Sequence, residues 1–136
     1  MTPRLTLSLL GGHDPTEFAV AQWPPGFVVP ATCLSGSFFS LTASADELSL
    51  VCEAYLLPDM LPADTKHESG WLAFKLHGPF DFALTGILAA VLNPLRDAGV
   101  GIFAISTFDT DYVLVKGEQL GTALVALREA GHTIRD

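Results

Sequence analysis

Asp109 and Asp111 form a pair of carboxylates whose spacing could support chemistry. Two nearby carboxylates can divide acid–base work between them or hold a metal ion. Both, however, lie in the short polar stretch DTD between two apolar runs, where aspartate is favoured for turn geometry alone. We therefore expect a turn or a ligand contact at this place, rather than catalysis or a metal site.

The histidines and cysteines follow no catalytic or metal-binding pattern. His67 and Glu68 lack the second histidine of an HExxH motif, and the other histidines are scattered. Cys33 and Cys52 form no CxxC pair, so we expect reduced thiols in the core. A nucleophile elbow, a P-loop and a dinucleotide fingerprint are also missing. We therefore expect no catalytic residue, no metal and no cofactor, and interpret the chain as not being an enzyme.

The amino-acid composition limits the classes of protein and of partner that fit this chain. The 136 residues are 49% hydrophobic, enough to bury the core of one or two compact units. The formal net charge is −8 and no basic patch is present, so nucleic acid is not an expected partner. No apolar run approaches the roughly 18 residues of a membrane span, and no secretory signal is evident. We expect a cytoplasmic protein without membrane contact.

The elements that must position the aspartates are clearest from Trp71 onward. The stretch WLAFKLH alternates in hydropathy and predicts a strand. Apolar residues then recur at helical spacing from Leu84 to Ala98, which predicts an amphipathic helix. Pro94 lacks a backbone N–H and is expected to kink or break this helix, and Gly99 is expected to end it.

Three more elements follow before the chain ends. The apolar run GIFAISTF predicts a buried strand, and YVLVK predicts another strand after the DTD connection. Leu120–Ala130 carries a second helical pattern that stops at Gly131, and His132–Arg135 predicts a last short strand. The order βαββαβ is the ferredoxin-like plan of the α+β class, in which two helices cover one face of an antiparallel sheet.

This part of the chain resembles the ACT domain, a small-molecule-binding regulatory module of amino-acid metabolism. The resemblance rests on GPFDFALTGILAAVLNPLRDAGVGIFAISTFDTDYVLV. The stretch is similar to ACT proteins related to aspartate kinase regulatory domains and to the cytosolic arginine sensor of animals. The resemblance implies that ligands bind where modules meet and that modules associate side by side. It therefore implies a small-molecule ligand, of the amino-acid class, and a homodimer.

The first half of the chain is rich in predicted strands. They cover Arg4–Leu10, Phe18–Trp23, Phe38–Thr42 and the run ELSLVCE, and Ala54–Ser69 is interpreted as a connection. Prolines occupy the place where a first helix would lie. This half resembles the degenerate half of small bacterial proteins with two ACT modules.

The two halves also resemble each other. The block Thr42–Val51 matches Ser106–Val115, with an acid at the sixth position of each, and LTLSLLGG matches WLAFKLHG. Matched strands in matched order predict a duplicated module. We therefore expect a degenerate, β-rich ACT-like module with its linker over residues 1–65, and a complete ACT domain over residues 66–136.

Two positions near the predicted first helix are candidate ligand-binding residues. Asp81 marks the expected helix start, where free backbone N–H groups suit an anion such as an α-carboxylate. Gly86 has no side chain, so either a ligand or another part of the backbone can come close.

The other candidate ligand-binding residues surround the DTD connection. Ser106 and Thr107 offer hydroxyls, Phe108 offers an apolar wall, and Asp111 offers a carboxylate for an amino or guanidinium group. The resemblance adds that Thr107, Phe108 and Asp111 match a Thr-Phe-x-x-Asp stretch of the arginine-sensor relatives. The residues between them differ, so the ligand's identity does not carry over.

Three hypotheses about function follow. The first is a non-catalytic protein that binds or senses a small molecule, with an amino acid as the expected ligand. The second is a structural or protein-interaction module that has lost its ligand, which the prolines of the first half favour. The third, an enzyme using Asp109 and Asp111, requires a polar cleft with perturbed carboxylates.

Overall fold

The computed structural model describes residues 3–78, 80 and 85–135. These residues form two compact units, one from residues 3–15 and 72–135 and the other from residues 16–71. We call them the larger and the smaller unit; the division at residues 65 and 66 stays a prediction. The described elements are β1 (Thr6–Leu9), β2 (Phe18–Trp23), β3 (Ser40–Ala43), β4 (Leu48–Glu53), β5 (Lys66–Leu76), α1 (Ile87–Asp97), β6 (Ile102–Ser106), β7 (Asp111–Lys116), α2 (Leu120–Glu129) and β8 (Thr133–Arg135).

The larger unit has the predicted ferredoxin-like order β5-α1-β6-β7-α2-β8, with one added strand. Its sheet runs β6-β7-β5-β1-β8, so β1 from the start of the chain lies between β5 and β8. β1 is antiparallel to β5 and parallel to β8. The two helices cover one face through a shared core, because alternate strand residues point toward them. This core includes Leu5, Leu7, Phe74, Leu76, Val91, Leu95, Val113, Val115, Ala123 and Leu127.

The expectation of a buried strand over GIFAISTF is wrong. Residues of β6 alternate between exposed and half-buried, and Ile102 keeps 37% of its surface exposed. Within the described residues β6 pairs with β7 alone, so it is an edge strand. An apolar run therefore predicted a strand here, but it did not predict the place of that strand in the sheet.

Helix α1 begins after Gly86 and continues through Pro94, where a kink or break was expected. The expected start near Asp81 lies outside the described residues. Gly86 is not inside the helix but precedes it, with a left-handed φ of 79°, and the first helical residue is Ile87. A residue with a Cβ would be strained in this conformation. Pro94 does not break the helix, which continues to Asp97 and ends before Gly99 as predicted.

The buried side chain of His132 explains how α1 accommodates Pro94. Proline has no N–H to donate to the carbonyl four residues earlier, so the Ala90 carbonyl loses its helical donor. His132 Nε2 lies 2.7 Å from that oxygen, and the Leu5 N–H donates to His132 Nδ1 at 3.0 Å. Because Nδ1 accepts, the ring proton lies on Nε2 and is donated to Ala90. One neutral imidazole thus satisfies groups from α1 and from the segment before β1.

Replacing His132 with alanine should lower the free energy of unfolding by about 2–4 kcal/mol, because two buried backbone groups lose their partners. Urea denaturation measures the loss. Pro94→Ala is the control, since it supplies an N–H to Ala90 from within the helix. In the double variant the cost of His132→Ala should shrink by about 1 kcal/mol. Equal costs in both backgrounds would contradict this account.

The smaller unit is a four-stranded arrangement, β3-β4-β2 followed by residues 66–71 of β5. A short 3-10 turn at Ala31–Cys33 occupies the place of a first helix, as the prolines suggested. The predicted connection Ala54–Ser69 is wrong at its end, because β5 already begins at Lys66. The core of this unit is formed by Ala21, Trp23, Cys33, Leu48, Leu50 and Cys52.

The two units contain closely similar hairpins. Ala43 pairs with Leu48 across the β3–β4 hairpin, and Ser106 pairs with Asp111 across the β6–β7 hairpin. Both loops, 44–47 and 107–110, are closed by the same backbone hydrogen bond, of 2.9 Å in the first and 2.8 Å in the second. Each loop also begins with a hydroxyl that bonds to its last residue.

The register of these hairpins corrects the predicted alignment by one residue. Asp111 corresponds to Leu48 rather than to Glu47, and Asp109 corresponds to Asp46. The other predicted match also changes, because β1 and β5 pair with each other in one sheet instead of taking equivalent places. The strand that lies beside β4, as β5 lies beside β7, is β2.

Candidate ligand-binding site

The β6–β7 loop is anchored to the end of β5. Thr110 is buried, and its Oγ1 donates to the Leu76 carbonyl at 2.6 Å. The Phe80 N–H donates to the Asp109 carbonyl at 2.9 Å. Thr107 closes the loop, because its N–H and its hydroxyl both donate to the Thr110 carbonyl, at 2.8 and 3.0 Å. The loop is therefore held in one conformation against the end of β5.

Gly78 permits this close approach. A Cβ placed on it would lie 2.8 Å from the Asp109 carbonyl oxygen, closer than real Cβ contacts allow. Because Gly78 has no side chain, it makes room for the hairpin loop.

A cavity of about 240 Å³ lies at this junction. It is smaller than the roughly 300–1,000 Å³ of a drug-sized site, so it suits a small metabolite. An ammonium, a carboxylate, an imidazole and hydroxyls surround it, which gives the cavity donors, acceptors and charges of both signs. The lining residues are Lys75, His77, Gly78, Thr107, Asp109, Thr110 and Tyr112.

The proton affinity of His77 is lowered by its surroundings. Burial lowers its pKa, and the positive charges of Arg135 and Lys75 lower it further. Its Nε2 lies 2.9 Å from Ser8 Oγ. His77 is therefore held neutral at neutral pH, and its ring can exchange donor and acceptor roles with the Ser8 hydroxyl.

The structure brings only part of the predicted site together. Thr107 lines the cavity. Ser106 and Asp111 bond to each other as a cross-strand pair, the hydroxyl donating to Oδ1. Phe108 is 79% exposed, so it forms no buried wall. Whether these residues bind a ligand stays a prediction.

The two candidates near the first helix are placed differently. Gly86 lines a separate cavity of about 940 Å³ along α1 and α2, together with small residues such as Ala89 and Ala126. Asp81 lies outside the described residues. Of these two cavities, Gly86 therefore lines one and the hairpin loop the other.

Lys75, His77 and Tyr112 line the cavity but were missed from sequence. One signal was available, since the alternation in WLAFKLH places Lys75 and His77 on the same face of β5. Tyr112 directly follows the aspartate that was predicted, and lies opposite Ile105. The sequence did not indicate that the hairpin loop is anchored to the end of β5, which brings these residues to the cavity.

The cysteines lie in the core of the smaller unit. Cys33 and Cys52 are both fully buried, and the Cys33 thiol donates to the Leu56 carbonyl at 3.4 Å. Burial raises the pKa of Cys33, and burial together with the neighbouring Cys33 raises the pKa of Cys52 to about 12. Among the residues described, no three His, Cys, Asp or Glu side chains gather as a metal site.

Both thiols should resist thiol–disulfide exchange with Ellman's reagent in the folded protein. A thiol with a pKa near 12 is almost entirely protonated at pH 8, and only the thiolate is nucleophilic. Ellman's reagent should therefore label Cys33 and Cys52 quickly only in denaturant. Rapid labelling of Cys52 in the folded protein at pH 8 would contradict the burial described above.

Comparison with known proteins decides the family. The ACT domain family model ACT_7 matches residues 66–129. A solved protein of Agobacterium tumefaciens is 36% identical, with a TM-score of 0.86 over 98% of this chain and 94% of that one. The chain belongs to the ACT domain family. Curated relatives include the cytosolic arginine sensor for mTORC1 subunit 1 of Bos taurus, 27% identical over 97 residues.

These relatives differ from the chain in extent. The match covers 66% of this chain but 30% of the Bos taurus protein, so the chain spans about a third of the length of that relative. The regulatory subunit of aspartate kinase from Thermus flavus has a TM-score of 0.62 at 11% identity, covering 94% of this chain and 99% of that one, and shares the ACT fold. No helix within the described ranges is long and apolar enough to cross a membrane.

Proposed function

We propose that this ACT protein is a non-catalytic regulatory protein that binds a small molecule of the amino-acid class. The cavity beside the β6–β7 loop carries the proposal. It presents the Lys75 ammonium and the Asp109 carboxylate together, a complement to the carboxylate and ammonium of an amino acid. The curated arginine sensors among its relatives support the ligand class.

The geometry of the loop favours binding over catalysis. The hydroxyls of Thr107 and Thr110 form hydrogen bonds that anchor the loop. Asp111 is bonded to Ser106 rather than paired with Asp109 as a second acid. A fixed loop next to a small polar cavity provides recognition, and the lining groups need no activated nucleophile for it.

The proposal includes a cytoplasmic homodimer. β6 supports the homodimer, because among the described strands it is an edge strand and it carries exposed apolar residues. A second copy could extend the sheet there. A ligand that binds one association state better would shift the population toward that state, giving a regulatory output without chemistry.

The Asp109→Asn variant tests the ligand. A thermal-shift screen of the twenty amino acids should find one class that stabilises the wild type by about 2.7 kcal/mol at about 100-fold excess over Kd. Asp109→Asn should weaken this effect at least tenfold, because it removes the charge that faces the ligand's ammonium.

Asp46→Asn is the matched control, because Asp46 is the equivalent residue of the other hairpin. It should leave the ligand-induced shift unchanged. Asp111→Asn tests the original prediction of a ligand contact separately. If no amino acid stabilises the folded protein, the sensor proposal fails and an interaction module without a ligand takes its place.

The Ala104→Lys variant tests the dimer. The wild type should sediment as a dimer at micromolar concentration. A lysine at the exposed Ala104 should shift it to monomer, because charge on an edge strand opposes strand pairing. Leu41→Lys, at the equivalent place on the edge strand β3, should leave the dimer intact. A wild-type monomer would refute the proposed association.

A further inference from the structure

Three strands of the larger unit place positive charge in one row. The register pairs Lys75 of β5 with Ser8 of β1, and Ser8 with Arg135 of β8. In the next row the backbone N–H of His77 donates to the Thr6 carbonyl at 2.8 Å, and Thr6 pairs with Thr133. The two rows together thus hold three residues that can carry positive charge and three that carry hydroxyls.

All six side chains belong to the sheet face opposite the helices. Leu7, Leu76 and Ile134, their neighbours along the strands, pack in the core beneath α1 and α2. Side chains alternate along a strand, so the residues between these point to the other face. Lys75, His77 and Ser8 are half-buried and Arg135 is exposed, so the groups can be reached from solvent.

The charges converge on the Ser8 hydroxyl. Neighbouring strands lie about 4.8 Å apart, so the Lys75 and Arg135 backbones are separated by roughly 10 Å, with Ser8 between them. His77 Nε2 reaches the same hydroxyl at 2.9 Å. A small oxyanion above Ser8 would therefore find an ammonium and a guanidinium on opposite sides and an imidazole beside it.

This concentration of positive charge is unusual in an acidic chain. The sequence has seven lysines and arginines against fifteen acidic residues, yet two of the seven flank a single serine. Grouped like charges repel, and this repulsion contributes to the lowered pKa of His77. A bound anion would relieve the repulsion, and it would gain charge-assisted hydrogen bonds as well.

We infer that Lys75, His77 and Arg135, with the hydroxyl of Ser8, form an oxyanion site that makes the proposed ligand an amino acid with a second acidic group. The inference rests on the proposed function, because Lys75 and His77 also line the cavity beside the hairpin loop. Asp109 receives the ammonium and Lys75 faces the α-carboxylate as proposed above, and the row over Ser8 receives the second acidic group, a carboxylate or a phosphoryl group. These two sources share the chemistry of recognition, and the experiment separates them.

Binding should take up a proton. Lys75 and Arg135 face His77 with positive charge, and Asp109 and Tyr112 line the same cavity. In the free protein burial and the two cations keep His77 neutral. An oxyanion would favour the charged imidazole, so affinity should increase as pH falls from 7.5 to 5.5.

Isothermal titration with paired ligands tests the inference. L-glutamate and O-phospho-L-serine should be compared with L-glutamine and L-serine, which lack the second charge. At least one acidic ligand should bind tenfold or more tightly than its neutral partner, and the stronger of the two identifies carboxylate or phosphoryl. The preference should fall at least tenfold in Arg135→Gln and Lys75→Met.

Arg128→Gln is the control, because Arg128 is exposed on α2, on the other side of the sheet, and the preference should persist there. His77→Gln should abolish the pH dependence. If a neutral amino acid binds equally well and only Asp109→Asn weakens it, the inference is overturned and the proposed function stands. If inorganic phosphate binds through Arg135 while no amino acid binds, the oxyanion site stands and the amino-acid function fails.

Discussion

The hydrogen bond from His132 to the Ala90 carbonyl ties together parts of the chain that are far apart in sequence. It replaces the helical hydrogen bond that Pro94 cannot donate to Ala90. The other ring nitrogen accepts the Leu5 N–H just before β1. The position of β1 decides much else, since β1 separates β5 from β8 and carries Ser8 into the middle of the sheet. Without that strand in place, Lys75 and Arg135 would not share a row. One satisfied imidazole thus supports both the core beneath the helices and the polar surface on the other side.

Local pattern predicted most of the elements. The alternation in Phe18–Trp23 and the spacing of Leu120, Ala123 and Leu127 identified β2 and α2, because burial of one face leaves its period in the sequence. The hydropathy pattern did not indicate that β1 pairs with strands of the larger unit. Strand pairing depends on distant partners, and β1 meets β8 across almost the whole chain. The start of α1 was also misjudged, because apolar spacing does not reveal that Gly86 takes a left-handed conformation and that the helix begins after it.

The candidate site was predictable in its loop but not in its surroundings. Thr107 and Asp109 could be assigned to a polar turn, since the turn residues and the flanking strands are adjacent in sequence. Lys75 and His77 gain their meaning from the register of β5 with β1 and from the anchoring of Thr110. Asp111 was misaligned with Glu47 because similarity of residue types does not fix the side to which a strand residue points. A shift of one residue reverses that side.

The order of the two units along the chain has a consequence for how the protein folds. The smaller unit is continuous, from residue 16 to residue 71, whereas the larger unit takes its inner strand β1 from before it and its outer strand β8 from the last described residues. A ribosome therefore releases β1 before the smaller unit and its parallel partner β8 after it. The smaller unit can close while synthesis continues, but β1 must wait for β8 and His132. Long-range pairing of this kind slows folding, so the larger unit completes its sheet only after β8 has emerged.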